Sequence, residues 1–192
     1  LIEKSQACID AGAKLVAWPE TMVLATLNPG YLKYWAANSE PQLLHRRILA
    51  HAEGQSYILC GAHSATVGAD LTITDQFNTA FLYRPDGTPD LQRYDKIHLV
   101  PFGEYIPLRR SVPWIYRMIL FLSPYEYDYN LTPGEHYTIF AIDDNGKTRR
   151  FGVLICYEDT SPTVTRRIAA AENGVKQAEW LVNISNDGWY VR

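Results

Sequence analysis

The sequence predicts a layered α/β domain, and two observations carry that expectation. Short apolar runs alternate with helical periods over residues 1–60 and again over 150–184. Between them lie hairpin signals, centred on Pro85-Asp86-Gly87 and on Asp143-Asp144-Asn145-Gly146. Such an order is mixed, and helices must then cover the sheet from outside. The 192 residues, 47% hydrophobic and 20% charged, suffice for one domain with a sizeable core.

Each element has its own local signal. Residues Ile2 to Ala13 place apolar side chains at helical spacing and stop at Gly12-Ala13. Leu15 to Trp18 is a short apolar run closed by Pro19, as expected of a buried strand. Pro41 to Glu53 reads as a second helix, with proline in its first turn and Gly54 as its stop. Tyr57 to His63 is a strand. Phe77 to Arg84 alternates and is closed by Pro85-Asp86-Gly87, where Pro presets one dihedral and Gly accepts a positive φ. Leu91 to Lys96 is the returning strand. Residues 101–136 hold five of the 11 prolines and many aromatic side chains. They read as a long functional loop with a short helix over Trp114 to Phe121. Tyr137 to Ile142 and Arg149 to Cys156 form the next hairpin, Ser161 to Asn173 a helix stopped by Gly174, and Trp180 to Ile184 a last strand.

Composition removes several function classes. A net charge of −3 and a pI near 6.0 leave no basic face for nucleic acid. Three cysteines without a C-x-x-C pair encode neither a zinc ribbon nor a thioredoxin motif. Cys8 and Cys60 read as structural, apolar residues. The longest apolar stretch, Val112 to Leu122, is interrupted by Arg117 and is short of the ~20 residues of a membrane span. No signal peptide opens the chain. It starts inside a helical pattern and stops at Trp189-Tyr190-Val191-Arg192, so a fragment is the expectation.

Chemistry concentrates in Gly152-Val153-Leu154-Ile155-Cys156-Tyr157-Glu158-Asp159. A buried strand ending on cysteine delivers a thiol to a sheet edge. A helix starting there would lower its pKa and favour the thiolate. By pattern alone Cys156 is open between a nucleophile and a core cysteine. Glu20, set by Pro19 at the end of a strand, is open between a general base and a solvated loop acid. Lys96 is open between an oxyanion stabiliser and a surface lysine paired with Asp95 or Asp86. His98, in an apolar run, reads as a structural histidine.

Trp18-Pro19-Glu20, Tyr94-Asp95-Lys96 and Ile155-Cys156-Tyr157-Glu158 resemble the three catalytic blocks of the nitrilase, or carbon–nitrogen hydrolase, superfamily, in that family's order. Lys96 to Pro107 and Asn183 to Trp189 look like the apolipoprotein N-acyltransferase versions of two of its segments. The resemblance implies a four-layer α-β-β-α sandwich, incomplete at both ends. It implies one nitrilase-like domain over 1–192, with residues 101–136 as an inserted lid-like region. By position it assigns Cys156 as nucleophile, Glu20 as general base and Lys96 as oxyanion stabiliser, with Glu104, Tyr157 and Glu158 in support. It implies no metal and no cofactor. Its acyl donor is a phospholipid and its acceptor the N-terminal amine of a diacylglyceryl apolipoprotein. Its place is the bacterial inner membrane, with the catalytic domain facing the periplasm. Membrane contact would come through flanking segments and through the 101–136 loop, whose Tyr and Trp suit an interface; packing over the domain's own core is the alternative. A soluble amidase using the same three residues, and a non-catalytic binding domain, are the competing readings.

Overall fold

The computed structural model describes residues 1–106, 130–170, 176–186 and 188. Its elements are α1 (Ile2–Asp10), β1 (Leu15–Ala17), α2 (Pro29–Leu32), α3 (Glu40–Ala52), β2 (Tyr57–Val67), β3 (Ile73–Tyr83), β4 (Pro89–Asp95), β5 (Ile139–Asp144), β6 (Lys147–Ile155), a 3₁₀ turn (Cys156–Thr160), α4 (Pro162–Ala169) and β7 (Trp180–Ile184). They form two sheets, β1-β2-β3-β4 and β5-β6-β7. In each, the strands joined by a hairpin are antiparallel, and the strand reached through a helix, β1 on β2 and β7 on β6, is parallel.

Period-two alternation explains the layers. Along β2 and β3, Ile58, Cys60, Ala62, Phe81 and Tyr83 pack with Ile48 and Ala52 of α3. The alternate residues, Leu59, Ala80 and Leu82, pack with Phe140, Ile142, Phe151, Val153 and Ile155 of the second sheet. Val164 and Ile168 of α4 join that second core. The order is therefore helices, sheet, sheet, helix. All these side chains are nearly or fully buried.

Several boundaries differ from the sequence expectations. Strands β2 and β3 run on to Val67 and back to Ile73, because ladder hydrogen bonds continue after the apolar alternation has faded. The expected strand from Arg149 to Cys156 ends one residue early, since Cys156 has φ 55° and cannot continue a strand. The chain then makes a five-residue 3₁₀ turn, and α4 begins only at Pro162. The short helix α2, opened by Pro29, had no sequence counterpart. Cys60 is buried as expected, whereas Cys8 is exposed. The expected helix over Trp114 to Phe121, most of the lid-like loop, and the end of the helix expected to reach Asn173 lie outside the described residues.

Candidate active site

Glu20 is held against the first sheet by its backbone. The Trp18 N–H donates to the Leu59 carbonyl at 2.7 Å and the Val23 N–H to the Gly61 carbonyl at 3.2 Å. Gly61 is what allows this approach. A Cβ there would lie 2.6 Å from the Pro19 oxygen, 2.7 Å from Glu20 Cα and 2.8 Å from the Thr21 nitrogen. The carboxylate is consequently buried, not a solvated loop acid.

Lys96 follows β4 directly. Its N–H donates to the Asn78 carbonyl, and its own carbonyl accepts from the Gly134 N–H, both at 2.8 Å. Gly134 has no room for a Cβ, which would collide with the Asp95 carbonyl. The Lys96 side chain is 1% exposed, with Nζ 2.9 Å from Glu104 Oε1 and 3.4 Å from Glu20 Oε1. It pairs with neither Asp95 nor Asp86. Burial alone would lower its pKa, but the Glu104 and Glu20 charges outweigh it, so the pKa is raised and the amine is an ammonium. Glu104 is fixed in turn: its Oε2 accepts from the Val100 N–H at 2.8 Å, and its backbone carbonyl from the Leu131 N–H.

Cys156 sits where β6 turns into the 3₁₀ segment, in a left-handed conformation that a non-glycine residue adopts at a cost. Its thiol lies within the electrostatic reach of the Glu20 carboxylate, the Lys96 ammonium and the Ser185 side chain. Burial and the Glu20 charge push its pKa up, and Lys96 and Ser185 only partly oppose them. The expected thiolate is thus corrected: no regular helix starts at Cys156, and the resting group is a thiol. A neutral thiol within reach of a carboxylate is an acid near a base, with an ammonium next to that base.

Glu158 joins the two halves of the site. It is fully buried. Its Oε1 accepts from the Ile97 and His98 backbone N–H groups at 2.8 and 2.9 Å, and its Oε2 from the Ile155 N–H at 2.9 Å. The Tyr94 hydroxyl reaches both oxygens at 2.9 Å. One carboxylate therefore fastens the segment after Lys96 to the residue before Cys156. Burial raises its pKa, and the backbone donors and Tyr94 pull it part of the way back. His98 takes part through its backbone and is otherwise exposed. Tyr157, next to Cys156, is 51% exposed.

Other contributors had no role assigned from sequence. Asn78 of β3 donates from Nδ2 to Glu20 Oε1 at 2.7 Å and to Glu104 Oε1 at 3.2 Å. Its signal was available: a polar residue on the strand face shared with Ala80 and Leu82. Asn183 lies in β7, and Ser185 comes directly after that strand. Asn183 Nδ2 donates to the Cys156 carbonyl at 3.2 Å and to Asp159 Oδ2 at 2.9 Å. Asp187 and Trp189 of the same segment lie outside the described residues. Among the described residues no three His, Cys, Asp or Glu side chains are grouped as a metal site.

The chain matches the carbon–nitrogen hydrolase family over residues 1–192. It is 30% identical over 187 residues to an apolipoprotein N-acyltransferase of Geobacter metallireducens, covering 97% of this chain and 30% of that protein. It is 37% identical over 183 residues to apolipoprotein N-acyltransferase 1 of Treponema pallidum, covering 91% of this chain and 31% of that one. The chain therefore spans under a third of the length of these relatives. Among solved structures, a variant of the Nesterenkonia AN1 amidase from the nitrilase superfamily superposes with a TM-score of 0.57. That match has 19% identity and covers 96% of this chain and 57% of the other; it speaks to the fold alone.

Proposed function

This chain belongs to the carbon–nitrogen hydrolase family, and from that premise we propose that it is the catalytic domain of an apolipoprotein N-acyltransferase. Glu20 takes the proton of the Cys156 thiol as sulfur attacks the acyl ester carbonyl of a phospholipid. The Lys96 ammonium stabilises the oxygen that becomes negative. The C–O bond breaks, Glu20 returns the proton to the leaving alcohol, and lysophospholipid departs from a Cys156 thioester. The N-terminal amine of a diacylglyceryl apolipoprotein then attacks that thioester. Glu20 takes a proton from the amine and returns it to the sulfur, leaving an amide and the free thiol. Glu104 keeps Lys96 oriented, and Glu158 holds the lysine segment against the nucleophile turn.

The observation that carries this reading is the buried Lys96–Glu20 pair, whose two charges both act on the Cys156 thiol. The choice of donor and acceptor is supported by the names of the relatives. The enzyme's place in this reading is the bacterial inner membrane, its catalytic domain facing the periplasm. Among the described residues no helix is long and apolar enough to cross a membrane; in this reading the 101–136 loop serves as a lid at the lipid surface.

The test uses the full-length protein in phospholipid vesicles without an acceptor. Mass spectrometry is expected to find one acyl group on Cys156, labile to hydroxylamine, and none on Cys156→Ala. A diacylglyceryl peptide then discharges it and becomes N-acylated. Acylation at another residue, or transfer surviving Cys156→Ala, refutes the assignment. Release of ammonia from small amides, with no acyl group taken from lipid, selects the amidase reading instead.

A further inference from the structure

The cluster around Lys96 contains two carboxylates and one ammonium, so a second donor is needed to hold the anions side by side. We propose that Asn78 is that donor, a positioning residue that fixes Glu20 and Glu104 together beside Lys96. The geometry is a closed ring of four atoms. Lys96 Nζ lies 3.4 Å from Glu20 Oε1 and 2.9 Å from Glu104 Oε1. Asn78 Nδ2 lies 2.7 and 3.2 Å from the same two oxygens. Each nitrogen thus bridges both carboxylates. An amide does not titrate in this range, so its N–H groups are available at every working pH.

Two further observations support the role. Asn78 Oδ1 is buried without a hydrogen-bond partner among the described residues. An orphaned buried acceptor is destabilising. The opposite orientation is worse, because it would turn Oδ1 against two anionic oxygens, so the carboxylates dictate how the amide sits. The backbone of the same residue also accepts the Lys96 N–H at 2.8 Å. One strand residue therefore sets the Lys96 main chain and both acids. The charged and titratable groups facing Glu20 are Lys96 and Glu104 from the lysine segment, Cys156 from the turn after β6, and His63 of β2. His63, the register partner of Asn78, has its pKa lowered by burial, so it supplies no lasting second cation.

The inference rests on Cys156 as nucleophile with Glu20 as its base. Its test is the pH dependence of thioester formation at Cys156 in a single turnover, with the full-length protein in phospholipid vesicles. Wild type, Asn78→Leu and the isosteric Asn78→Asp are compared, and thermal melting is recorded for each. With the amide gone the two carboxylates lose a shared donor and repel each other more strongly, so the arrangement that accepts the thiol proton is less favoured at low pH. The acid limb for Asn78→Leu is expected to move up by roughly one pH unit, the equivalent of a tenfold loss on that limb, with recovery toward the wild-type rate at high pH. Asn78→Asp adds a third carboxylate and moves the limb further. A purely structural role predicts an equal drop at all pH values, and that result in either folded variant overturns the inference, as does an unchanged profile. Should Asn78→Leu not fold, Asn78→Asp decides by the same criterion. Failure of both to fold also overturns it, by making Asn78 a structural residue. A wild-type protein that forms no Cys156 thioester at any pH refutes the parent reading instead.

Discussion

Replacing Glu158 by Gln keeps the shape of the side chain and removes one acceptor. The glutamine carbonyl belongs at the Oε1 position, where the Ile97 and His98 N–H groups point. Its NH₂ then faces the Ile155 N–H, donor against donor. A buried N–H without an acceptor costs about 1–3 kcal/mol, and each of the two surviving backbone bonds loses about 1 kcal/mol on passing from a charged to a neutral acceptor. Relief from burying a charge offsets part of this, since burial already pushes the Glu158 pKa up. A net loss of roughly 2–3 kcal/mol remains, or about 5–10 °C in Tm for a domain of this size. Because the folded pKa of this acid lies above its unfolded value, wild-type stability gains as pH falls through the folded pKa. The glutamine variant has no such gain, so the gap between the two widens on acidification and levels off below the unfolded pKa. Catalysis suffers more than stability. Slack of about 1 Å between the Lys96 segment and the Cys156 turn slows thioester formation on the order of 100-fold. Glu158→Ala leaves four donors without their acceptor, two of them buried, a cost that approaches the ~5–15 kcal/mol that holds a whole domain together, and is expected to unfold most of the protein. The assays are thermal unfolding between pH 5 and 8 and the single-turnover rate of Cys156 acylation. A glutamine variant that melts within about 1 °C of wild type and acylates at the wild-type rate refutes the clamp.

Two further perturbations have worked-out signs. Glu20→Gln removes a charge that raises the Cys156 pKa and leaves the lowering effect of Lys96. Alkylation of Cys156 by iodoacetamide at pH 8 therefore accelerates, while thioester formation from phospholipid falls by about 100-fold or more, because the base is gone; slower alkylation is the result that counts against it. Gly61→Ala drives a methyl group into the backbone of Pro19, Glu20 and Thr21. A cost of roughly 2–4 kcal/mol is expected, with loss of acylation even where the protein still folds, because Glu20 is pushed off the sheet; a variant with wild-type melting and rate shows that the loop yields.

The legible parts of this chain were those with a local cause. Alternation along Tyr57 to His63 and Phe77 to Arg84 marked two strands, and Asn145-Gly146 marked a turn in which both residues have positive φ. The apolar run into Cys156 marked a strand ending on a thiol. Glu20, Lys96 and Cys156 were found through family blocks, since the 76 and 60 residues between them obey no spacing rule. The role of Asn78 is not legible in the sequence, because a lone polar residue in a strand says nothing of its partners until the register is known. The family blocks mark Glu158 only as a support beside Cys156; which groups it holds, three backbone N–H groups and one tyrosine, follows from the fold.

Sequence by itself determined which face of each strand is apolar, where the chain turns, and that a thiol, a carboxylate and an amine stand at the ends of strands. Those properties follow from residue type and a period of two, which neighbouring residues decide among themselves. Only the tertiary structure decided that the three groups meet, that Lys96 is charged, and that the Cys156 thiol is held above its ordinary pKa instead of below it. Those outcomes depend on burial and on the distances between charges, and both are sums over residues far apart in the chain.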